Sequence, residues 1–234
     1  MPGAQYGVIA RNGDSNGAAF PTWSHDGSTI VYSSTKGGCQ DGRLEKGATD
    51  LYSVPFNGGE GGEAKPVPGA SESGSEEYYA AYSPDDRLVV FDRVKSGEVM
   101  YANTNAELFF VPMGSAPGAG KAVRLDANDP VKCSGKASPG INNHFPKWAP
   151  QAVDWKGRTY YWVIFSSNRA GLPTVKSSDG KERQVSQLYL TAISVENGQY
   201  KTYHSIYLWN QPTKTLNTTP VWDMISIPPA PPIY

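Results

Sequence analysis

Cysteine, histidine and methionine are scarce in this sequence, at 2, 3 and 4 of 234 residues. Cys39 and Cys133 stand 94 positions apart with no CxxC or CxxCH around them, which excludes the usual spacings for zinc, dithiol redox chemistry and covalent haem. A disulfide between them and two unrelated thiols both fit the sequence. A bridge would contribute about 4–5 kcal/mol in the chain-entropy description and would require an oxidising compartment. Net charge is also lacking: 21 basic against 22 acidic side chains leave −1, no field to gather nucleic acid or an anionic membrane. Long apolar runs are missing. The longest, Tyr160 to Phe165, has strand length and falls far short of the roughly 18 residues that span a bilayer. The start, Met1-Pro2-Gly3-Ala4-Gln5-Tyr6-Gly7, has neither the basic nor the apolar region of a secretory signal, so either the protein is cytoplasmic or a signal lies on a part not present here. No GxSxG motif occurs, and only His25, His144 and His204 are available as bases, so a nucleophilic triad is not expected. Helical periodicity is nowhere sustained.

What is abundant is glycine (25), proline (19) and aromatic side chains (7 Phe, 14 Tyr, 6 Trp) in a 25.3 kDa chain. That balance suits short strands joined by many turns. The length allows one large or two small domains with a genuine core.

A repeat organises the chain. Pro21-Thr22-Trp23-Ser24-His25-Asp26-Gly27 runs into the apolar Ile30-Val31-Tyr32-Ser33-Ser34, and Asp50-Leu51-Tyr52-Ser53-Val54 follows after a Gly-rich loop. A second copy reads Ala81-Tyr82-Ser83-Pro84-Asp85-Asp86 through Leu88 to Asp92, answered by Glu107 to Pro112. A third runs from Pro146-Lys147-Trp148 through Trp155-Lys156-Gly157-Arg158 and Val163 to Arg169, answered by Gln187-Leu188-Tyr189-Leu190. A fourth starts at Pro220-Val221-Trp222-Asp223. The anchors Trp23, Tyr82, Trp148 and Trp222 are spaced 59, 66 and 74 residues apart, so the growth falls in loops. Each copy predicts a first strand, a tight turn at Asp26-Gly27, Asp85-Asp86 or Lys156-Gly157, an apolar second strand and a third strand. Fourth strands are expected within Ala64–Pro68, Lys121–Leu125 and Tyr200–Leu208. Four antiparallel strands per copy, each copy too small to bury its own faces, predict an all-β chain of β-propeller blades. The boundaries are 20–78, 79–140 and 141–218, the last with an insertion. Partial blades flank them: 1–19, with Tyr6 to Arg11 as an outer strand of a preceding blade, and 219–234, which opens a further blade and ends in a Pro-rich tail.

The run W-S-x-D-G-x-x-I-V-Y-S-S followed by D-L-Y-S-V, and F-S-S-N-R followed by Q-L-Y-L, resemble the WD-like repeats of TolB-like propellers across roughly residues 18 to 223. The resemblance implies a propeller fold, and a binding scaffold of the bacterial envelope, with the accessory propeller of a peptidase or other enzyme whose catalytic domain lies elsewhere, or a structural subunit of an extracellular assembly, as the alternatives. The amino-terminal domain of TolB itself is absent, and Ala149-Pro150 replaces Ser-Pro-Asp in the third copy. It implies a periplasmic or extracellular setting, a protein or peptide partner, and no cofactor. Three complete copies fall short of the about four to eight blades of a ring, so self-association or blades supplied in trans are expected, and a fourth blade made by the two ends is the alternative.

Candidate binding residues cluster where loops leave the third copy: Asn143, His144, Lys147, Asn168 and Arg169. Loops on a rigid scaffold are natural contact surfaces. The competing role for Ser166-Ser167-Asn168-Arg169 is internal, since Ser and Asn satisfy loop backbone and arginine packs and pairs within a blade. Asp126, Asn128 and Asp129 lack the spacing of a calcium or zinc site and read as turn caps before Pro130. Asp41, Glu45 and Asp50 read as solvated loop charge. The anchors read as packing between blades, with a sugar-binding platform, joined by Tyr203, Tyr207 and Trp209, as the alternative. The segments 57–62, 71–77 and 114–120 read as mobile loops, and the ending 227–234 as polyproline-prone.

Overall fold

The computed structural model describes residues 7–37, 39–40, 43–44, 48–100, 103–129, 143–169, 174–176 and 178–222. Cys133, Tyr6, Asp41, Glu45, Pro130 and the Pro-rich ending lie outside the described residues, so neither the disulfide nor the tail is addressed by it. The described chain is all-β apart from two short 3₁₀ turns at Asn57–Gly59 and Asp126–Asn128.

Three antiparallel sheets follow one another along the chain, each beginning as a four-strand meander. The first joins Gly17–Trp23, Thr29–Thr35, Thr49–Pro55 and Lys65–Pro66 in that order. The second joins Ser75–Tyr82, Leu88–Lys95, Glu107–Pro112 and Val123–Arg124. The third joins His144–Trp148, Arg158–Ser167, Gln187–Glu196 and Gln199–Thr202; Val153–Trp155 extends its hairpin and Ile206–Tyr207 pairs with its third strand. Two small hairpins, Cys39–Gln40 with Arg43–Leu44 and Thr174–Lys176 with Glu182–Gln184, are inserted between second and third strands. The segment expected as an outer strand of a preceding blade supplies Ala10–Asn12, which pairs in parallel with Gly61–Glu63 of the first copy.

The turns between first and second strands share one chemistry in the first two sheets. Ser24 Oγ donates to Asp26 Oδ1 at 2.6 Å and accepts from the Thr29 N–H at 3.0 Å. Ser83 Oγ donates to Asp85 Oδ1 at 2.8 Å and accepts from the Leu88 N–H at 2.9 Å. The next residue is left-handed in both, Gly27 (φ 71°) and Asp86 (φ 58°). In the third sheet Lys156 (φ 49°) and Gly157 (φ 78°) form a two-residue hairpin loop between Trp155 and Arg158, with both central residues at positive φ as such loops require.

Each first strand also carries one residue more than its neighbour, at 19–22, 78–81 and 144–147. The extra residue opens a β-bulge, and the backbone is left-handed there at Phe20 (φ 50°), Tyr79 (φ 54°) and Phe145 (φ 54°). Each lies three positions before its anchor. Thr219 (φ 52°) holds the same place before Trp222, so the fourth copy begins with the same backbone device. Proline follows at 21, 146 and 220, which a bulge tolerates because a ladder N–H is not demanded. The three aromatic rings touch in sequence, Phe20 to Tyr79 at 4.6 Å and Tyr79 to Phe145 at 4.4 Å between centroids, and tie the first strands together.

The sheets stack face to face. Val31 and Leu51 on the front of the first meet Tyr82, Val89, Phe91 and Val111 on the back of the second. Ala81, Leu88, Val90 and Phe110 on the front of the second meet Trp148, Val163 and Phe165 of the third. Every back face carries a cross-strand aromatic pair, Tyr32–Tyr52, Phe91–Phe109 and Phe165–Tyr189, with an arginine over it: Arg11, Arg93 and Arg169 respectively. Between the second and third sheets Trp148 Nε1 donates to the Ala81 carbonyl at 2.8 Å. The step is repeated when Trp222 Nε1 donates to the Lys147 carbonyl at 3.2 Å. In both cases the acceptor immediately precedes the anchor of the previous copy.

Candidate functional site

The pairing of His144 with Ser166 brings Asn143 and His144 to the same end of the third sheet as Asn168 and Arg169, as their spacing predicts. Lys147 lies further along the strand, near Ile164. Their side chains, however, are largely committed inward. Asn143 is fully buried, its Nδ2 donating to Asn128 Oδ1 at 2.8 Å. Asn128 in turn accepts from the Leu108 N–H and donates to the Leu108 carbonyl, both at 2.8 Å, which fixes the orientation of both amides. His144 is buried, and burial holds its imidazole down to about 4, neutral at ordinary pH.

Arg169 serves as an internal clamp. It donates to Ser205 Oγ at 2.7 Å, to Ser167 Oγ at 3.3 Å and to the Ala127 carbonyl, and its guanidinium lies 4.8 Å from the Tyr189 ring. Burial lowers its proton affinity to about 10, with the Tyr189 and Asp129 charges opposing. The guanidinium fork thus joins the third sheet to the 3₁₀ turn after the second, the structural role of the two open for it. Asn143, Asn168 and Ser186 share one end of this sheet through the 166 and 187 pairings, and each holds a buried side-chain oxygen with no hydrogen-bond partner among the described residues.

Further buried carboxyl groups escaped the sequence reading, Asp92 and Glu77 among them. Asp92 is fully buried and accepts from the Phe145 N–H at 3.1 Å. Desolvation pushes its carboxyl well above the usual range, against the Phe145 hydrogen bond and the Lys147 charge, while burial lowers Lys147 and the Asp92 charge opposes. Glu77 pairs with Arg93 Nε at 2.8 Å and accepts from Ser75 Oγ at 2.8 Å. Desolvation pushes it up to about 7 despite both partners, with Asp50 adding to the rise. Asp50 is half-buried and is itself raised by burial and by Glu76, so it is not the freely solvated loop charge expected. An acid directly following an apolar run, as Asp92 follows Leu88 to Phe91, was the available signal.

Two depressions with apolar linings open on the described surface. On the front of the third sheet Val153, Trp162 and Leu190 line an open depression of about 410 Å³ with Pro150 and Trp222, and Trp155 is exposed nearby. On the back of the first sheet a cleft of about 260 Å³ opens beside the half-exposed Trp23; Ile30, Tyr32 and Val54 at its floor are buried, with Ile9 packed against them and Arg11 over the Tyr32 ring. These are the two faces at the ends of the stack. Among the described residues no group of three or more His, Cys, Asp or Glu is placed to hold a metal ion, and no helix is long and apolar enough to cross a membrane. No family model matches the chain, and no curated protein matches it in sequence.

Proposed function

We propose that the chain is a run of TolB-like propeller blades acting as a non-enzymatic scaffold for a protein partner, in the periplasm or outside a bacterial cell. The repeated step between sheets supports the propeller reading. The anchors Trp148 and Trp222 reach back to equivalent carbonyls, and the same left-handed residue recurs four times. The observation that carries the binding role is the exposed apolar front of the third sheet, with Val153, Trp155, Trp162 and Leu190, a face whose counterparts on the first two sheets are buried. Contiguous exposed apolar surface of this kind marks interaction sites. Asn143, His144 and Arg169 support the scaffold from inside, so the contact surface moves from the loop rim to this face.

The test compares wild type with Trp162→Glu as baits for specific partners, alongside thermal melting. The expected result is loss of the partner with little change in melting temperature. Equal loss of both would make the face structural, and turnover of a broad hydrolase substrate panel by the isolated chain would reject the non-enzymatic role.

A further inference from the structure

The front of the second sheet shows what a covered face requires in this molecule. Leu88, Val90 and Phe110 are buried in one cluster with Trp148 from the first strand of the next sheet and Tyr161, Val163 and Phe165 from its second. Strand registers place Trp162, Ile164 and Leu190 at the same three positions on the third sheet. There Ile164 is buried, but Trp162 is 36% exposed, Leu190 is half-buried, and Ile206 opposite Leu190 is exposed.

Residues 219–222 supply the first strand of such a cover. Thr219 repeats the left-handed residue and Trp222 repeats the anchor hydrogen bond, so the segment sits where first strands sit. In each complete copy a second strand pairs with it, Thr22 with Val31, Ala81 with Val90 and Lys147 with Ile164. Ser24, Ser83 and Ala149 donate to the second strand at 2.8 Å, and hydrogen-bonded positions alternate along an antiparallel ladder, so the residue before the anchor donates as well. Val221 holds that place. It is 86% exposed, and 219–222 make no backbone hydrogen bond among the described residues. The sequence after Trp222 does not offer the missing strand. Second strands of the first two copies start six residues past the anchor, which here is 228, and prolines at 228, 229, 231 and 232 lack the N–H groups that a strand paired on both edges needs.

Resting on the binding-scaffold reading, we infer that the partner on this face donates one extended strand. The strand pairs antiparallel with 219–222 and lays large apolar side chains at alternate positions over Trp162 and Leu190, as Tyr161, Val163 and Phe165 do over the front of the second sheet. An unpaired edge beside an apolar face is what strand addition uses. The chemistry recognised is a proline-free segment of alternating apolar and polar residues. Main-chain hydrogen bonds along the edge hold it, and the depression of about 410 Å³ selects every second side chain.

The probe is a synthetic peptide with the sequence of residues 86–95, the second strand of the second copy, whose Val89 and Phe91 cover the front of the first sheet. Labelled with a fluorophore, it is titrated by anisotropy with the full chain as wild type, Trp162→Glu, Val221→Pro and Val221→Thr, each checked for folding by circular dichroism. Wild type and Val221→Thr should bind it saturably and alike. Trp162→Glu should bind at least about tenfold more weakly, because a carboxylate would be buried in an apolar seat. Val221→Pro should bind about fivefold more weakly, through one lost ladder hydrogen bond. A peptide carrying Val89→Ser and Phe91→Ser should not bind. Absence of saturable binding to wild type overturns the inference, and so does unchanged affinity for either Trp162→Glu or Val221→Pro. A chain that ignores the peptide yet loses a specific partner on Trp162→Glu would sink strand donation and leave the scaffold reading standing. One that binds the peptide as expected but keeps every partner on Trp162→Glu would do the reverse.

Discussion

Replacing Trp148 by phenylalanine tests how sheets are fastened to one another. The indole N–H meets the Ala81 carbonyl at 2.8 Å inside the interface between the second and third sheets, among Leu88, Val90, Tyr161 and Val163. Phenylalanine keeps most of the apolar contact and removes the donor. An orphaned buried carbonyl costs about 1–3 kcal/mol. The smaller ring adds about 1 kcal/mol for the space left behind. At about 2–4 °C per kcal/mol for a chain of this size, the melting temperature should fall by about 5–15 °C. The control is Trp23→Phe. Trp23 is half exposed with no donor contact to lose, so its substitution should stay within about 0.5 kcal/mol. Thermal melting monitored by circular dichroism compares the two. Equal shifts for the two variants would refute the argument, because they would show that the seated and unseated anchors are energetically alike.

Asn128→Ala strips partners from the Leu108 N–H and carbonyl and from the Asn143 amide, and should cost about 3 kcal/mol by urea unfolding, with Asn128→Asp recovering the acceptor contacts. Arg169→Lys cannot reproduce a fork that reaches Ser205, Ser167 and Ala127, so it should lower stability by about 1–2 kcal/mol, and an unchanged unfolding midpoint would count against the clamp. Glu77 holds its proton to about pH 7 in the folded chain against an ordinary value of 4.5. Its contribution is therefore fully present below about 4.5 and is lost as pH rises to about 7, by about 2–3 kcal/mol. The stability difference between wild type and Glu77→Gln, followed from pH 4 to 8, should fall across that window; a flat difference would refute it. Taking the difference removes the contributions of Asp92 and His144.

The meander was legible because its signals are residue types at fixed offsets. Ser24-x-Asp26-Gly27 and Ser83-x-Asp85-Asp86 close the same turn with the same hydroxyl, and the anchors follow the bulges at a constant spacing. The bulges themselves were not seen, because Phe20, Tyr79, Phe145 and Thr219 are not residues that advertise positive φ. Only alignment on the anchors exposes them. The polar run at 166–169 left a loop contact and an internal role both open, and buried Ser166 and Ser167 with the Arg169 hydrogen bonds match the internal one. Asn143 reads as a loop residue, yet it must satisfy Asn128 across 15 positions of chain, a pairing that local pattern does not carry. Likewise Glu77 and Asp92 became buried charges through the stacking of sheets, a property of the assembled repeats.

The bulges set a rule for exchanging parts of this molecule. One additional residue reverses odd and even along a first strand, so the portion before Phe20, Tyr79 or Phe145 and the portion leading to the anchor follow opposite alternation. A chimera spliced inside that stretch with one residue more or fewer would turn the anchor away from its neighbour and strand a whole sheet. Splices placed in the connections between second and third strands, which already accommodate hairpins of differing length, would leave the alternation intact. Grafted peptides therefore belong in those connections, and the three residues ahead of each anchor are the cassette boundary that a designer should leave alone.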